Sequence, residues 1–301
     1  MQIRTIVVAT DLSSFAVTTH RHAGGLARSV GARITLLHVD ELTGFPASYM
    51  SEMVQSQIEQ QRRMLVGEAA RALAEVAPTE VVRRVGDPAS QICEHLHDHD
   101  ADLLVLGKRS HLGLRRLLLG RTVKRVLRRI EIPTLVVPHA EEEARGFVAY
   151  KRILVGTDLS RNSFKGMRAA LALAERIDAT LECLHVIRMP VLGFMGPEWP
   201  MVAPAEIQQE LGASLADRLA AQVNALGSGR CRGNVSLGHR VSAALADAAG
   251  GGMADLIVLA AHGESGDRRY VGTTTENLLK LAHVPVLVFP SPYLARIYPD
   301  R

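Results

Sequence analysis

The sequence predicts two successive α/β domains, each a five-stranded parallel sheet covered by helices. Three observations predict it. Short β-branched runs alternate with longer stretches of 3.6-residue apolar period, the pattern of parallel strands joined by crossover helices. The chain also repeats itself: IRTIVVATDLSSFAVTTHRHAGGLARSVGARITLLHVDE at 3–41 returns as KRILVGTDLSRNSFKGMRAALALAERIDATLECLHVIRM at 151–189. The ends of the copies agree as well, DLLVLG (102–107) with DLIVLA (255–260) and IPTLVVP (132–138) with VPVLVFP (284–290). A repeat one domain long marks a duplicated domain rather than a solenoid.

The expected organisation is a first domain at 1–140, a linker at 141–149, a second domain at 150–290 and a tail at 291–301. The boundary falls in HAEEEARG (139–146), which is polar and without apolar period. Strands are expected near 3–9, 34–39, 81–85, 103–107 and 134–137, and helices near 13–30, 48–76, 88–98 and 121–130. In the second half strands are expected near 152–156, 180–186, 235–240, 255–260 and 285–289. Helices there are expected near 160–177, 205–226, 242–249 and 274–282. Ser13 and Ser160 stand where N-caps belong. Pro133 and Pro285 open the last strand of each half, where a missing N–H does not interrupt the ladder.

Composition narrows the function. At 301 residues and 47% hydrophobic content, the chain can build two cores. A net charge of +4 is weak grounds for a nucleic-acid partner. No apolar run approaches the ~20 residues that cross a bilayer, and MQIRTIVVATD does not read as a leader. Cys93, Cys183 and Cys231 are odd in number and scattered, which argues against a disulfide framework or zinc motif. Cys183 reads as a small core hydrophobe. The expectation is a cytoplasmic protein without a membrane partner.

In open α/β sheets ligands bind beyond the carboxyl ends of strands, where the strand order reverses. Two such edges recur in each half. The first strand runs into Thr10-Asp11 and Thr157-Asp158, and the fourth runs into a glycine-bearing loop that ends at a helix start. In the second half that loop reads AAHGESGDRRYVGTTT from Ala260 to Thr275. Gly263 and Gly272 let backbone approach a phosphate, and the N–H groups of the next helix with Thr273–Thr275 supply donors. No lysine stands where a P-loop requires one.

These residues resemble the universal stress protein family in tandem form, over roughly 3–138 and 151–290. The family's phosphate loop reads G-x2-G-x9-G-[ST], with an Asp closing strand 1. The resemblance implies Rossmann-like domains of the adenine nucleotide alpha hydrolase-like kind, related by a pseudo-twofold axis through their last strands. It also implies a site for ATP or another adenine nucleotide, with or without Mg. The strand-1 Asp and the residue ending strand 2 then hold adenine and ribose, and the loop glycines with the following hydroxyls hold phosphates. Carried onto the second half, this gives Gly156, Thr157, Asp158, Val186, Ala260, Gly263, Gly272, Thr273 and Thr274. Two departures stand there: Ala260 replaces the first glycine, and eight residues rather than nine separate Gly263 from Gly272. The first half gives Thr10, Asp11, Val39, Gly107, Ser110, Gly120, Arg121 and Thr122, with Ser110 for the second glycine and Arg121 for the hydroxyl. The second half is preferred as the occupied site.

Other features have plainer readings. The basic run from Lys108 to Arg129 contains no acid and no interleaved aromatic, so a solvated amphipathic helix is preferred to a polyanion surface. His95 and His99 stand four apart without a third metal ligand. His38 and His185 recur at the end of strand 2 as satisfied histidines or pocket walls. The apolar segment 188–203 is a lid, a ligand contact or interdomain packing. No nucleophile elbow, paired carboxylates or Mg-binding acid at a set distance from the glycines is found, so no catalytic residues are assigned. The reading is a stress-response nucleotide-binding or sensor protein, able to pair as a homodimer. The alternatives are a scaffold for a protein partner or hydrophobic ligand, and a slow ATPase.

Overall fold

The duplicated pattern closes into one continuous sheet. The computed structural model describes residues 2–41, 52–108, 119–139, 146–188, 205–261 and 272–299, with main chain alone at 205–208. The first half alternates β1 (Thr5–Thr10), α1 (Ala16–Val30), β2 (Arg33–Asp40), α2 (Glu52–Ala74), β3 (Thr79–Val85), α3 (Pro88–Asp98), β4 (Leu103–Gly107), α4 (Arg121–Leu127) and β5 (Thr134–Val137). The second repeats the order with β6 (Arg152–Thr157), α5 (Arg161–Ile177), β7 (Thr180–Arg188), α6 (Ala205–Leu226), β8 (Cys231–Gly238), α7 (Val241–Ala248), β9 (Leu256–Ala260), α8 (Thr273–Leu281) and β10 (Val286–Phe289).

The strands lie in the order β3-β2-β1-β4-β5-β10-β9-β6-β7-β8. Pairing is parallel inside each half and antiparallel where the halves meet, with Val286 beside Val136 and Val288 beside Thr134. That antiparallel seam makes the two halves pseudo-twofold mates. Alternate strand residues feed two cores. Ile6 and Val8 join the layer under α1, α2, α5 and α6. Val7 joins the layer under α3, α4, α7 and α8. Pro133 and Pro285 meet the ladder through their carbonyls, which accept from Leu104 (3.0 Å) and Ile257 (2.9 Å).

Three expectations change at the level of detail. The strand expected at 235–240 is β8, four residues earlier at Cys231–Gly238. It is an edge strand whose CRGNVSLG sequence has little apolar pattern to fix its start. Ser13 is not an N-cap, because its N–H and Oγ both donate to Asp11 Oδ1 (3.1 and 2.7 Å) and α1 begins only at Ala16. Ser160 does cap, accepting from the Ser163 N–H at 3.1 Å. The tail at 291–301 starts with a helix, α9 (Ser291–Ile297), that has Pro at its first turn and buries Tyr293 and Leu294. Arg168 of α5 lies 4.3 Å over the Tyr298 ring.

The chain segment that joins the halves is fastened along α1. Arg21 Nε donates to the Gly146 carbonyl at 2.6 Å, and the Val148 N–H donates to the Arg21 carbonyl at 3.3 Å. His22 Nδ1 and the buried Tyr150 hydroxyl share a hydrogen bond of 2.8 Å.

Lys108 crosses between the halves. It is buried, and its Nζ donates to the carbonyls of Lys280 (2.6 Å) and Ala282 (3.3 Å) at the C-terminal end of α8. A cation there satisfies carbonyls the helix leaves unpaired and opposes its dipole. The corresponding residue of the second half is Ala261, so the contact runs one way only. Lys108→Met, which keeps the aliphatic stem, is expected to lower the unfolding free energy by about 2 kcal/mol, as measured by urea denaturation.

Candidate nucleotide site

The repeated Thr-Asp-Leu-Ser builds the same turn twice. Thr10 Oγ1 accepts from the Leu12 N–H and Thr157 Oγ1 from the Leu159 N–H, both at 3.1 Å. Asp11 Oδ1 and Asp158 Oδ1 accept from the N–H of Ser13 (3.1 Å) and Ser160 (3.0 Å). Between these two bonds Leu12 and Leu159 are driven to φ 59° and 62°, the left-handed region. An ordinary residue there costs about 1 kcal/mol, which the two side-chain-to-backbone bonds offset. The turn sets each Asp at the carboxyl edge of the sheet. Partial desolvation at the base of the turn pushes the Asp158 carboxyl up, and bonds from Ser160 and Ser163 outweigh it, so the net shift is downward and the group stays ionised.

His38 and His185 hold the same turns from strand 2. Their Nδ1 atoms lie 3.0 and 2.9 Å from the carbonyl oxygens of Thr10 and Thr157. A carbonyl only accepts, so Nδ1 carries the proton. The Nδ1 of each is satisfied in this way, and His38 also lines the first-half cleft.

In the first half a cleft of about 960 Å³ opens above this edge. Its floor is Thr10–Ser13, Leu37–Glu41 and Leu106–Gly107, and its far wall is Gly120–Val123 at the start of α4. Of the residues assigned from sequence, it brings together Thr10, Asp11, Val39, Gly107, Gly120, Arg121 and Thr122. Arg121 is exposed at the head of α4. Ser110 lies outside the described residues.

The cleft has a wall that no motif announced. Ile58, Gln61, Arg62 and Leu65 of α2 face it. Asp40 stands beside them, 3.1 Å from Arg62 and 2.8 Å from Arg83. Arg83 also binds Glu59 at 2.6 Å. Hydrogen bonds from Arg83 and then Arg63 hold the Glu59 carboxyl down at about 2. The network pins α2 to β3. Its residues are charged singly and far apart in sequence, so only the fold assembles them.

In both halves the loop after strand 4 closes on its own base. The N–H of Lys108 donates to the Val137 carbonyl (2.7 Å), and the Gly120 N–H returns to the Lys108 carbonyl (3.0 Å). Ala261 donates to Phe289 (2.8 Å), and Gly272 returns to Ala261 (3.0 Å). The residue missing from the second loop therefore leaves its closure intact. Gly272 is required by contact: a Cβ would sit 2.9 Å from the Ala261 oxygen. The arms 109–118 and 262–271, with Gly263, lie outside the described residues.

The second half differs in its floor. Gly156, the counterpart of Ala9, leaves room that Leu259 and Leu245 fill, standing 2.5 and 2.9 Å from where a Cβ would be. The added methyl of Ala260 points at α5, where Gly166 makes space for it; a Cβ on Gly166 would lie 3.4 Å from it. In the first half the trade is reversed, with Gly107 and the buried Thr19. Val186 is buried against Gly238, 3.2 Å from that glycine's missing Cβ position. Thr157 is buried and its hydroxyl meets Ser163 Oγ at 3.0 Å, while Asp158, Thr273 and Thr274 are exposed. Thr275 is turned inward, its hydroxyl donating to Ala261 at 3.4 Å.

The other sequence features resolve simply. Within the basic run, Lys108 caps α8, Lys124 pairs with Glu276 at 3.3 Å and Arg125 with Asp87 at 2.5 Å. His99 Nδ1 donates to the His95 carbonyl at 3.1 Å, closing the end of α3, and the rings stack 4.4 Å apart. No group of three metal-ligating side chains occurs among the described residues. No described helix is long and apolar enough to cross a membrane. Of the apolar 188–203 segment only Arg188 is described.

Comparison with known proteins agrees with this fold. A universal stress protein of Mycolicibacterium smegmatis is 27% identical over 302 residues, covering 94% of this chain and 96% of its own. One from Methanocaldococcus jannaschii is 28% identical over 144 residues, 46% of this chain and 84% of its own. The crystal structure of a universal stress protein from Archaeoglobus fulgidus superimposes with a TM-score of 0.66 at 19% identity, over 95% of this chain and 96% of that one. The profile of the Universal stress protein family matches twice, at 2–138 and 149–290. The chain belongs to the universal stress protein family, with two of its domains in tandem.

Proposed function

We propose that the chain is a cytoplasmic stress-response protein that binds an adenine nucleotide such as ATP, with or without Mg, and that the first-half cleft is its principal site. The supporting observation is the cleft itself, which gathers seven motif residues around a space of suitable size. Asp11 and Val39 take the base and ribose; Gly107, Gly120, Arg121 and Thr122 take the phosphates. Arg121 supplies a fixed positive charge where the family pattern has a hydroxyl, a stronger partner for phosphate.

The sequence preference for the second half is kept as the second reading. It is favoured by the exposed hydroxyls of Thr273 and Thr274 at the start of α8. Titration calorimetry with ATP on Asp11→Ala and Asp158→Ala separates the two. The first reading expects at least a tenfold weaker affinity, about 1.4 kcal/mol, in Asp11→Ala and no change in Asp158→Ala. The reverse pattern moves the site to the second half, where Gly263→Val is then expected to abolish binding. No heat with the unmodified chain leaves the scaffold reading.

A further inference from the structure

We propose that Cys183 and Cys231 are an oxidant-responsive dithiol, which a hydroperoxide converts into a disulfide joining β7 to β8. The two sulfurs lie 3.5 Å apart inside the second half, and both thiols are free. They stand on adjacent parallel strands, one diagonal step apart: Cys231 is in register with Leu181, and Cys183 with Gly233.

Gly233 explains why the sulfurs meet. The residue directly beside Cys183 has no side chain, and a Cβ there would come 3.0 Å from Leu219 of α6. With that position empty, the Cys183 sulfur can lean toward Cys231. The first half supplies an internal control. Its residues at the three equivalent register positions are Leu36, Thr79 and Val81. The second copy thus differs at all three positions that bring two thiols together. Cys93, the third cysteine, lies in the first half and is half-buried.

Cys231 is the sulfur placed to react first. It opens the edge strand and is 7% exposed, whereas Cys183 is fully enclosed, so a peroxide reaches Cys231 first. Either thiol can donate across that contact; the hydrogen bond between the sulfurs and then its deeper burial push the Cys183 thiol up, and the same bond lowers Cys231. The chemistry balances without any further reagent. The Cys231 thiolate attacks one peroxide oxygen, forming S–O and breaking O–O, and the alcohol or water leaves with a proton. The Cys183 sulfur then attacks the sulfenic sulfur, forming S–S and breaking S–O, and the hydroxyl leaves as water with the second thiol proton. Bond formation brings the sulfurs from 3.5 Å to about 2 Å.

The test is exposure of the reduced, full-length protein to hydrogen peroxide, followed by intact mass and non-reducing peptide mapping. The expected result is a monomer lighter by two hydrogens, with the peptides of Cys183 and Cys231 joined, and restored by a thiol reductant. Cys93→Ser is expected to leave this unchanged, and Cys231→Ser to abolish it. The unmodified chain decides the matter even if a variant folds poorly. Oxygen addition at Cys183 or Cys231 with no joined peptides overturns the proposal, as does a bridge through Cys93 or two thiols left intact after peroxide has oxidised a free cysteine peptide. No nucleotide enters the experiment, so its result is independent of the proposed binding function.

Discussion

Between pH 6.5 and pH 4 the folded state is expected to lose stability steeply, by roughly 4 kcal/mol at pH 5, through two histidines of α1. Burial lowers the pKa of His20 to about 4, against the opposing pull of the Asp11 carboxylate. Burial, and then Arg21, lowers that of His22 to about 4 as well. Unfolded, both titrate near 6.5, so below that pH the unfolded chain binds protons that the folded chain does not. Stability is therefore complete above pH 6.5, declines as the pH falls, and levels off below 4. Each histidine contributes about 2 kcal/mol to the loss at pH 5. Glu59 and Asp87, held down at about 2 by Arg83 and Arg125, act with the same sign but only over a lower window, below their unfolded values. Urea unfolding at pH 7, 6, 5 and 4.5 measures the slope. The double variant His20→Gln, His22→Gln is expected to flatten it; an unchanged slope would mean that other groups carry it.

The fold was legible because duplication prints each strand and helix twice, and both copies bury their central strands on two faces. The site was legible only where the backbone demands a residue type. Thr-Asp-Leu-Ser could be read because its turn needs a hydroxyl at Thr10 and a carboxylate at Asp11 to hold the left-handed position that follows. The α2 wall could not, since Asp40, Arg62 and Arg83 are ordinary charges until β2, α2 and β3 are stacked. Gly156 depends on distant partners in the same way. Its small size serves Leu245 and Leu259, which are distant in sequence, and says little by itself about a ligand. Lys108 was read with the surface charges around it, because its partner carbonyls belong to the other half. Side chains whose partners are local can be inferred from pattern; those satisfied across the seam cannot.

Gly25→Ala is expected to destabilise the protein by about 3 kcal/mol, although alanine is the better helix former by about 1 kcal/mol. Gly24 and Gly25 lie in the interior of α1, where a glycine pair has no turn to make and no positive φ to adopt. Their reason is the connecting segment. A Cβ at Gly25 would overlap the Val148 carbonyl oxygen and stand 2.7 Å from its carbon; one at Gly24 would strike the Phe147 ring. A ring at the end of a side chain can swing away, whereas the backbone at Val148 is tied to Arg21 on one side and leads to buried Tyr150 on the other. The overlap at Gly25 therefore has to be relieved by lifting the segment off α1. The second copy has Leu171 and Ala172 at the equivalent helix positions. Only one connection exists, so only one copy needs the gap. Gly67→Ala in α2 is the matched control, for no atom lies within 4 Å of its Cβ position. It is expected to stabilise by about 0.5 to 1 kcal/mol. Urea denaturation of the two variants compares the same chemical change in the same secondary structure. Opposite signs attribute the loss at Gly25 to the threaded connection, and equal signs would show that the segment yields without cost.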